Sequence, residues 1–494
     1  MSIEDRLLRL HPDDNVAVAL ADGLADGAGI GHKLATQPIA AGEAIVKYGQ
    51  PIGVATVPIK TNIHVHTHNI SAEISGSRSG AAVSSGRATI DSTEQTFDGF
   101  LRADASVGTR NYVGIVSTVN CSATVVRQIA SEIPRATLAR FANVDGLCPI
   151  THSTGCGMSA TGEGADLLRR TLGGYITHPN MGAVLVIGLG CETNDIRSLF
   201  SALGLEESDT LRALSIQEAG GSRAAVGKAK VIVEDLLRAA NRAERVPVSA
   251  SHLTLGLQCG GSDSFSGITA NPALGYAADM LVAAGGTVIL GETPEIYGAE
   301  HLLMNRAESP AVATALQERL DWWQHYVAAH GASLNNNPSP GNIAGGISTI
   351  LEKSLGAVMK SGTSPLRAVY RYAESIKENG FVFMDSPGYD PCSITGEIAS
   401  GANIVCFTTG RGSVFGAKPV PSLKLASNSA TAVHMADDMD YDCGGILSGD
   451  KTLEEAGADI FKMLLETASG RKSASERNGL GDFEFVPWQI GAVL

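Results

Sequence analysis

The segment HVHTH sets His64, His66 and His68 at a spacing of two. On a β-strand that spacing puts three imidazoles on one face, where they can ligate a divalent ion, move protons or touch a substrate. A solvated histidine face is the alternative, since no cysteine or carboxylate shares the short segment. Farther along, six polar loops each follow an apolar run: NC (120–121), GCE (190–192), CGGSD (259–263), GETPE (291–295), DSPGYD (385–390) and TTGRG (408–412). Glu192, Asp263, Glu292 and Glu295 on these loops, with the histidines, make a ligand set for a hard or borderline divalent ion. The expected metal ligands are His64, His66, His68, Glu192 and Asp263. Mixed imidazole and carboxylate ligation suits Fe(II), with Mn(II) as the alternative.

The same loops offer substrate contacts. Gly260, Gly261 and Ser262 would let backbone amides approach a carboxylate. Arg411 in TTGRG is the first candidate for a bidentate carboxylate clamp and Arg110 the second; for each the alternative is a surface ion pair. Asn120 at the end of TVN and Asn342 in the turn-rich NNNPSPGNIAGG complete the expected substrate set. His66 and His68, with His152 and Lys360 in KSG, are the candidate acids and bases. Cys121, Cys156, Cys191 and Cys259 could together hold an iron-sulfur cluster or zinc, but they lack CxxC spacing, and structural thiols are the preferred reading. Neither GxGxxG nor GxxxxGK[ST] occurs, so no nucleotide cofactor is expected.

These groups need a scaffold. Residues 1–72 hold short β-type segments separated by turn residues and read as a small all-β domain. Residues 73–97 are rich in Ser, Gly and Ala and read as a linker. From residue 98 apolar strand-like runs alternate with helical stretches, which predicts parallel sheets covered by helices, divided into α/β domains over 98–250 and 251–494. NYVGIVSTVNC, AVLVIGLGCE and LTLGLQC are three such strands ending at a cysteine, with Ser122 placed to cap the helix after the first. GLCPITHSTGCGMSATGEG reads as turns. Ligands of open α/β sheets bind beyond the carboxyl ends of the strands, so the six loops are expected to line one edge and build a single composite site. Trp322, Trp323 and Tyr326 fall at helical spacing and read as packing.

Composition narrows the function classes. A chain of 494 residues with 44% hydrophobic and 18% charged residues can bury several cores. The formal charge of −14 argues against nucleic acid and anionic membranes as partners. A small anionic substrate needs only a few local cations, and a homo-oligomer is left open. An acidic N-terminus without a signal-like core, no long apolar run and eight dispersed cysteines predict a cytoplasmic protein with reduced thiols.

The stretches VHTHN, TVNC, GCG, HPNMGAVLVIGLGCE, QCGGSDSFSGITANPALGYAADMLVAAGGTVILGETPE, NPSPGNIAGG, KSG and FTTGRG resemble those of the altronate and galactarate dehydratase family, over essentially the whole chain. The resemblance implies an N-terminal SAF domain of the β-clip type. It also implies iron(II)- or manganese-dependent dehydration of a sugar acid to a 2-keto-3-deoxy acid. A sulfolactate sulfo-lyase is among related members, so carbon-sulfur cleavage is the alternative, and a non-catalytic sugar-acid sensor is a third. The chain departs from the family pattern at TGRGSVFG, where Phe415 replaces a tyrosine, and at MDSPGYDPCSITGEIASG. Both loops are expected to face the site, which implies a shorter or less hydroxylated substrate than altronate.

Overall fold

The structure, a computed structural model, describes residues 6–72 and 95–491. Most of the expected linker, 73–94, lies outside the described residues. Residues 6–72 fold into two small antiparallel sheets. One orders Leu7–Leu8, Val16–Ala19, Lys33–Ala35 and His64–Val65, and the other Ala44–Lys47, Gln50–Ala55 and Ile70–Ser71. Their buried Ile39, Ile45, Ile52 and Val65 belong to the same apolar core as Leu255 and Leu257 of the body. The small domain therefore shares a core with the body across its docked face.

The single histidine strand does not form. It ends at Val65, and residues 66–69 turn, closed by the amides of Asn69 and Ile70 on the His66 carbonyl at 2.9 and 3.2 Å.

In the body, Thr96–Leu101 pairs antiparallel with Arg245–Ser249 and Val107–Gly108. Two parallel sheets follow. The first orders Gly146–Ile150, Tyr112–Ser117, Met181–Gly188 and Leu211–Ser215. The second has seven strands, in the order Leu366–Tyr370, Gly380–Met384, Thr287–Leu290, Thr254–Cys259, Ile404–Thr409, Ser422–Ala426 and Tyr441–Asp442. Runs such as VLVIG and VILG become strands because covering helices bury both faces. Helix Leu453–Ala468, started by a Thr452/Glu455 capping box, lies on helix Ala270–Ala283. Helix Pro310–Ala329 begins at Ser309, whose side chain accepts from the Val312 amide.

Several expectations need correction. GLCPI is an edge strand rather than turns, because its backbone pairs with Tyr112–Ser117 despite Pro149. Ser122 does not cap its helix: Val119 stands there, and the Ser122 hydroxyl donates to the carbonyls of Val119 and Ile187. The turn-rich 335–346 contains helix Pro340–Ala344, started by a Ser339/Asn342 capping box. Most importantly, the six polar loops are shared between two sheets, so they line two edges and not one. Trp323 does pack as expected, stacked on Trp488 with its indole N–H donating to Asp385 at 2.8 Å. No helix among the described residues is long and apolar enough to cross a membrane.

Candidate active site

In the seven-stranded sheet the chain runs outward from Thr254–Cys259 in one direction and from Ile404–Thr409 in the other, so these neighbours flank the topological switch point. Loops 260–263 and 410–412 emerge there, at the crevice where such sheets bind ligands. Close backbone approach dictates the glycines. A Cβ on Gly260 would lie 2.2 Å from an Asp390 oxygen and 2.6 Å from the Phe407 ring, and one on Gly410 would lie 2.1 Å from the Asp263 carboxyl carbon. Gly260→Ala is expected to destabilise the fold by about 1–3 kcal/mol through overpacking; a thermal melt superimposable on the parent's would refute this.

Asp263 braces the crevice. Its carboxylate accepts from the Ser266 amide and hydroxyl and the Ser427 hydroxyl, each at 2.8 Å, and from Asn428 at 3.1 Å. Burial nevertheless holds its pKa above the usual value. Outside the loop lies a cleft of about 650 Å³ whose walls include Asp263, Gly345, Arg411, Asn428 and, from the small domain, Leu20 and Ile30. Arg411 is exposed on that wall.

Behind the loop lies a buried charged cluster. Cys259, Glu292 and Glu295 are 2%, 1% and 3% exposed, and their ligand atoms lie within 4.8 Å of one another. Lys360 donates to the Cys259 sulfur at 2.9 Å, Lys353 to Glu295 at 2.7 Å, and Gln258 to Asp390 at 3.1 Å. Both carboxylate oxygens of Glu292 are buried without a hydrogen-bond partner, as are both of Glu397. Glu292 also sits at φ +65°, a left-handed conformation that glycine favours.

Four carboxyl groups thus face two ammonium groups in a largely buried site, and their ionisation separates accordingly. Burial, then the charges of Glu295 and Asp390, raises Glu292 far above the carboxylate range. Burial and Glu295 push Asp390 up to about 6. Burial opposes the charge of Glu295 too, but Lys353 and Lys360 outweigh it and hold Glu295 low. Burial pushes the Cys259 thiol up to about 11 against the pull of Lys360.

Buried carboxylate oxygens without partners are what a divalent cation compensates, and two carboxylates with a thiol are a suitable donor set. Cys259, Glu292 and Glu295 therefore fit an ion.

The small domain closes this cluster. Lys33 and Lys47 both donate to Glu352 at 2.8 Å, and Lys47 also reaches the Ser264 hydroxyl at 2.8 Å. Burial disfavours the Glu352 charge, but the two lysines outweigh it and hold the carboxyl near 2. Lys47, Tyr48, Cys259, Ser262, Glu352 and Lys353 border a void of about 10 Å³, the room of a single water.

Comparison with known proteins adds family to geometry. Residues 5–73 match the altronate/galactarate dehydratase SAF domain, 99–241 the D-galactarate dehydratase/altronate hydrolase second domain, and 250–493 the D-galactarate/altronate dehydratase C-terminal domain. The chain is 35% identical over 510 residues to an altronate dehydratase of Escherichia coli, with 99% of each chain covered. It belongs to the altronate/galactarate dehydratase family. Other members agree. A Bacillus subtilis altronate dehydratase is also 35% identical, over 99% of both chains, as is the L-threo-forming galactarate dehydratase of Escherichia coli, over 96% of this chain and 95% of that one. A (2R)-sulfolactate sulfo-lyase beta subunit of Chromohalobacter salexigens is 32% identical over 79% of this chain and 97% of its own. As a family member the chain is a hydro-lyase, which sets the sensor reading aside.

Within this family member the expected site residues scatter. Gly260, Gly261, Ser262, Asp263 and Arg411 meet at the crevice. Lys360 sits in the buried cluster, and Asn342 pins the loop by donating to the Ser262 carbonyl at 2.9 Å. His64, His66 and His68 do gather, joined by His32, with ring centroids 5.0–5.4 Å apart. They rest on helix Pro340–Ala344, where His66 meets the Ile343 carbonyl and His32 that of Ala344. Burial lowers His64 and His66 to about 4, so both are neutral at pH 7.

The expected ligand set is not assembled. Asp263 is occupied by four donors, and Glu192 belongs to the four-stranded sheet, accepting from Thr118 at 2.6 Å and from the amides of 189–191. His152 and Asn120 lie on that same sheet's edge. Both His152 ring nitrogens are engaged, with Ser117 and Thr154, and burial lowers it to about 4.

Arg110 is no substrate clamp. It is 1% exposed and bidentate to Glu476, at 2.6 and 2.8 Å, because it ties the body's first strands to the C-terminal segment. Phe415 does not face the cleft either: its ring stacks on Phe407 at 5.4 Å inside the core. The DSPGYD loop does contribute, through Asp390. Lys33, Lys47, Glu352, Lys353 and Asp390 were not singled out from sequence. A signal existed for Lys47, which shares the buried strand face of Ile45.

Proposed function

We propose that this hydro-lyase dehydrates an altronate- or galactarate-like sugar acid to a 2-keto-3-deoxy acid with Fe(II), or alternatively Mn(II), held by Cys259, Glu292 and Glu295. The carrying observation is the pair of unpartnered, fully buried Glu292 oxygens beside Cys259 and Glu295. When bound, the ion supplies Lewis acidity to the substrate carboxylate and neutralises charge developing beside it.

The chain's own groups do the rest. Arg411 orients the acid in the outer cleft, and the amides of 261 and 262 are the donors of the loop behind it, the Gly260 amide being bonded to the Thr408 carbonyl. Asp390, titrating near 6, takes the C2 proton, and Lys360 donates as the 3-hydroxyl leaves as water. Lys47, brought by the small domain, excludes water and steadies carboxylate charge. The void behind the loop is far smaller than a sugar acid, so the reacting end enters by displacement of loop 260–263 or of the small domain. Water exclusion strengthens every electrostatic contact inside.

An anaerobic screen of aldonic, aldaric and sulfonated hydroxy acids with Fe(II), Mn(II) and Mg(II) tests this, following 2-keto acid and sulfite together. The expected result is 2-keto acid from one aldonic or aldaric acid, with Fe(II) or Mn(II) required. Release of sulfite from sulfolactate alone would replace the dehydratase reading by carbon-sulfur cleavage.

A further inference from the structure

Eight cysteines divide sharply by exposure: Cys148, Cys259, Cys392, Cys406 and Cys443 are buried, whereas Cys121, Cys156 and Cys191 are exposed. Free cysteine is ordinarily among the most buried residues, and an exposed thiol is kept for its reactivity or for a ligand. The three exposed ones are not scattered. They follow the carboxyl ends of Tyr112–Ser117, Gly146–Ile150 and Met181–Gly188, three adjacent parallel strands of the four-stranded sheet.

The loops carrying them are stitched together beside each thiol. The Asn120 amide donates to the Thr154 carbonyl at 2.9 Å, and the Asn194 amide to the Gly155 carbonyl at 3.1 Å. Gly155 approaches so closely that a Cβ there would lie 2.4 Å from the Thr118 carbonyl oxygen. Gly155 and Gly157, on either side of Cys156, and Gly190, before Cys191, all have positive φ, at +103°, +63° and +120°. Alternating left-handed backbone of this kind turns amides into a concavity and recurs around phosphates and iron-sulfur clusters. Glu192 folds back on the amides of 189–191, fixing the loop that carries Cys191.

Among the described residues, the group whose ligand atoms all lie within 4.8 Å of one another is Cys259, Glu292 and Glu295, and the three exposed thiols do not form such a group. Cys259 belongs to the other sheet and cannot be a fourth ligand. We infer that Cys121, Cys156 and Cys191 hold an iron-sulfur cluster of the [4Fe–4S] class, with three irons bound by protein thiolates and the fourth left for water or an exogenous ligand. This site is separate from the buried acid cluster.

The full chain, produced with added iron and purified anaerobically, tests it by iron content, acid-labile sulfide, visible absorption and electron paramagnetic resonance after reduction. The expected outcome is about four sulfides per chain. Cys121→Ser, Cys156→Ser and Cys191→Ser each lose the sulfide and the absorption while keeping the parent's circular dichroism; Cys148→Ala, at a buried thiol of the same sheet, keeps both. Iron without sulfide in the parent, after reconstitution with iron and sulfide, would overturn the inference. So would a cluster that survives any one of the three serine substitutions. Glu292→Gln separates the two sites, because it should remove turnover and leave the sulfide count unchanged.

Discussion

Replacing Glu292 by Gln is expected to lower turnover by about 10²–10⁴-fold, the range for loss of a positioned ionisable group. It should also weaken retention of the divalent ion, because an amide offers one neutral oxygen where the carboxylate offers two charged ones. Stability should hold or rise at neutral pH. The side chain is 1% exposed and its oxygens lack partners, so the substitution removes a group whose ionisation the site opposes. Turnover and metal content measured on the same preparation, beside a denaturant titration, check all three. Full activity in the variant would remove Glu292 from the chemistry, and a collapse in stability would recast it as structural.

The second large effect concerns Glu352. Changing it to Gln leaves Lys33 and Lys47 buried without their counter-charge, and breaking a buried pair of this kind destabilises by about 3–5 kcal/mol. The loss should appear first as detachment of the small domain, since both lysines come from it. Limited proteolysis reads that out ahead of global unfolding. The pH dependence follows the same group. Its folded carboxyl lies near 2, below the unfolded value of about 4.3. The contribution of Glu352 is therefore complete above pH 4.3 and fades as pH falls through that value towards 2. Burial lowers Lys33 to about 8, so its charge on the acid side of that value is what the carboxylate meets. A variant with the parent's melting temperature and acid sensitivity would show that the triad contributes nothing net.

Much of the scaffold was legible in the sequence. The parallel strands could be read because burial on both faces leaves near-continuous Val, Ile and Leu runs, as in Met181–Gly188. The edge strand Gly146–Ile150 could not, since glycine and proline mask a strand whose partner is distant in sequence. That Gly260–Asp263 and Arg411 stand at strand ends of one sheet was legible because polar groups follow apolar runs there. The assignment of loops to two sheets was not, because strand order is fixed by tertiary packing.

Lys33, Lys47 and Glu352 were hidden for a similar reason. Each looks like a solvated surface charge, and only a pairing across some 300 positions makes burial tolerable. The histidines gather although no single strand carries them, because the turn at 66–69 replaces the expected alternation and engages His66 with Thr67 and Ile343.

Loop 260–263 has one face on the open cleft with Arg411 and the other on the buried acids. On the proposed function it is a partition between selectivity and reactivity. Changes on the outer wall can retune which acid is admitted, altering KM, without disturbing the inner charges that govern kcat. Such modularity lets one framework diversify by editing a rim, and relatives named for altronate, galactarate and sulfolactate carry related chains.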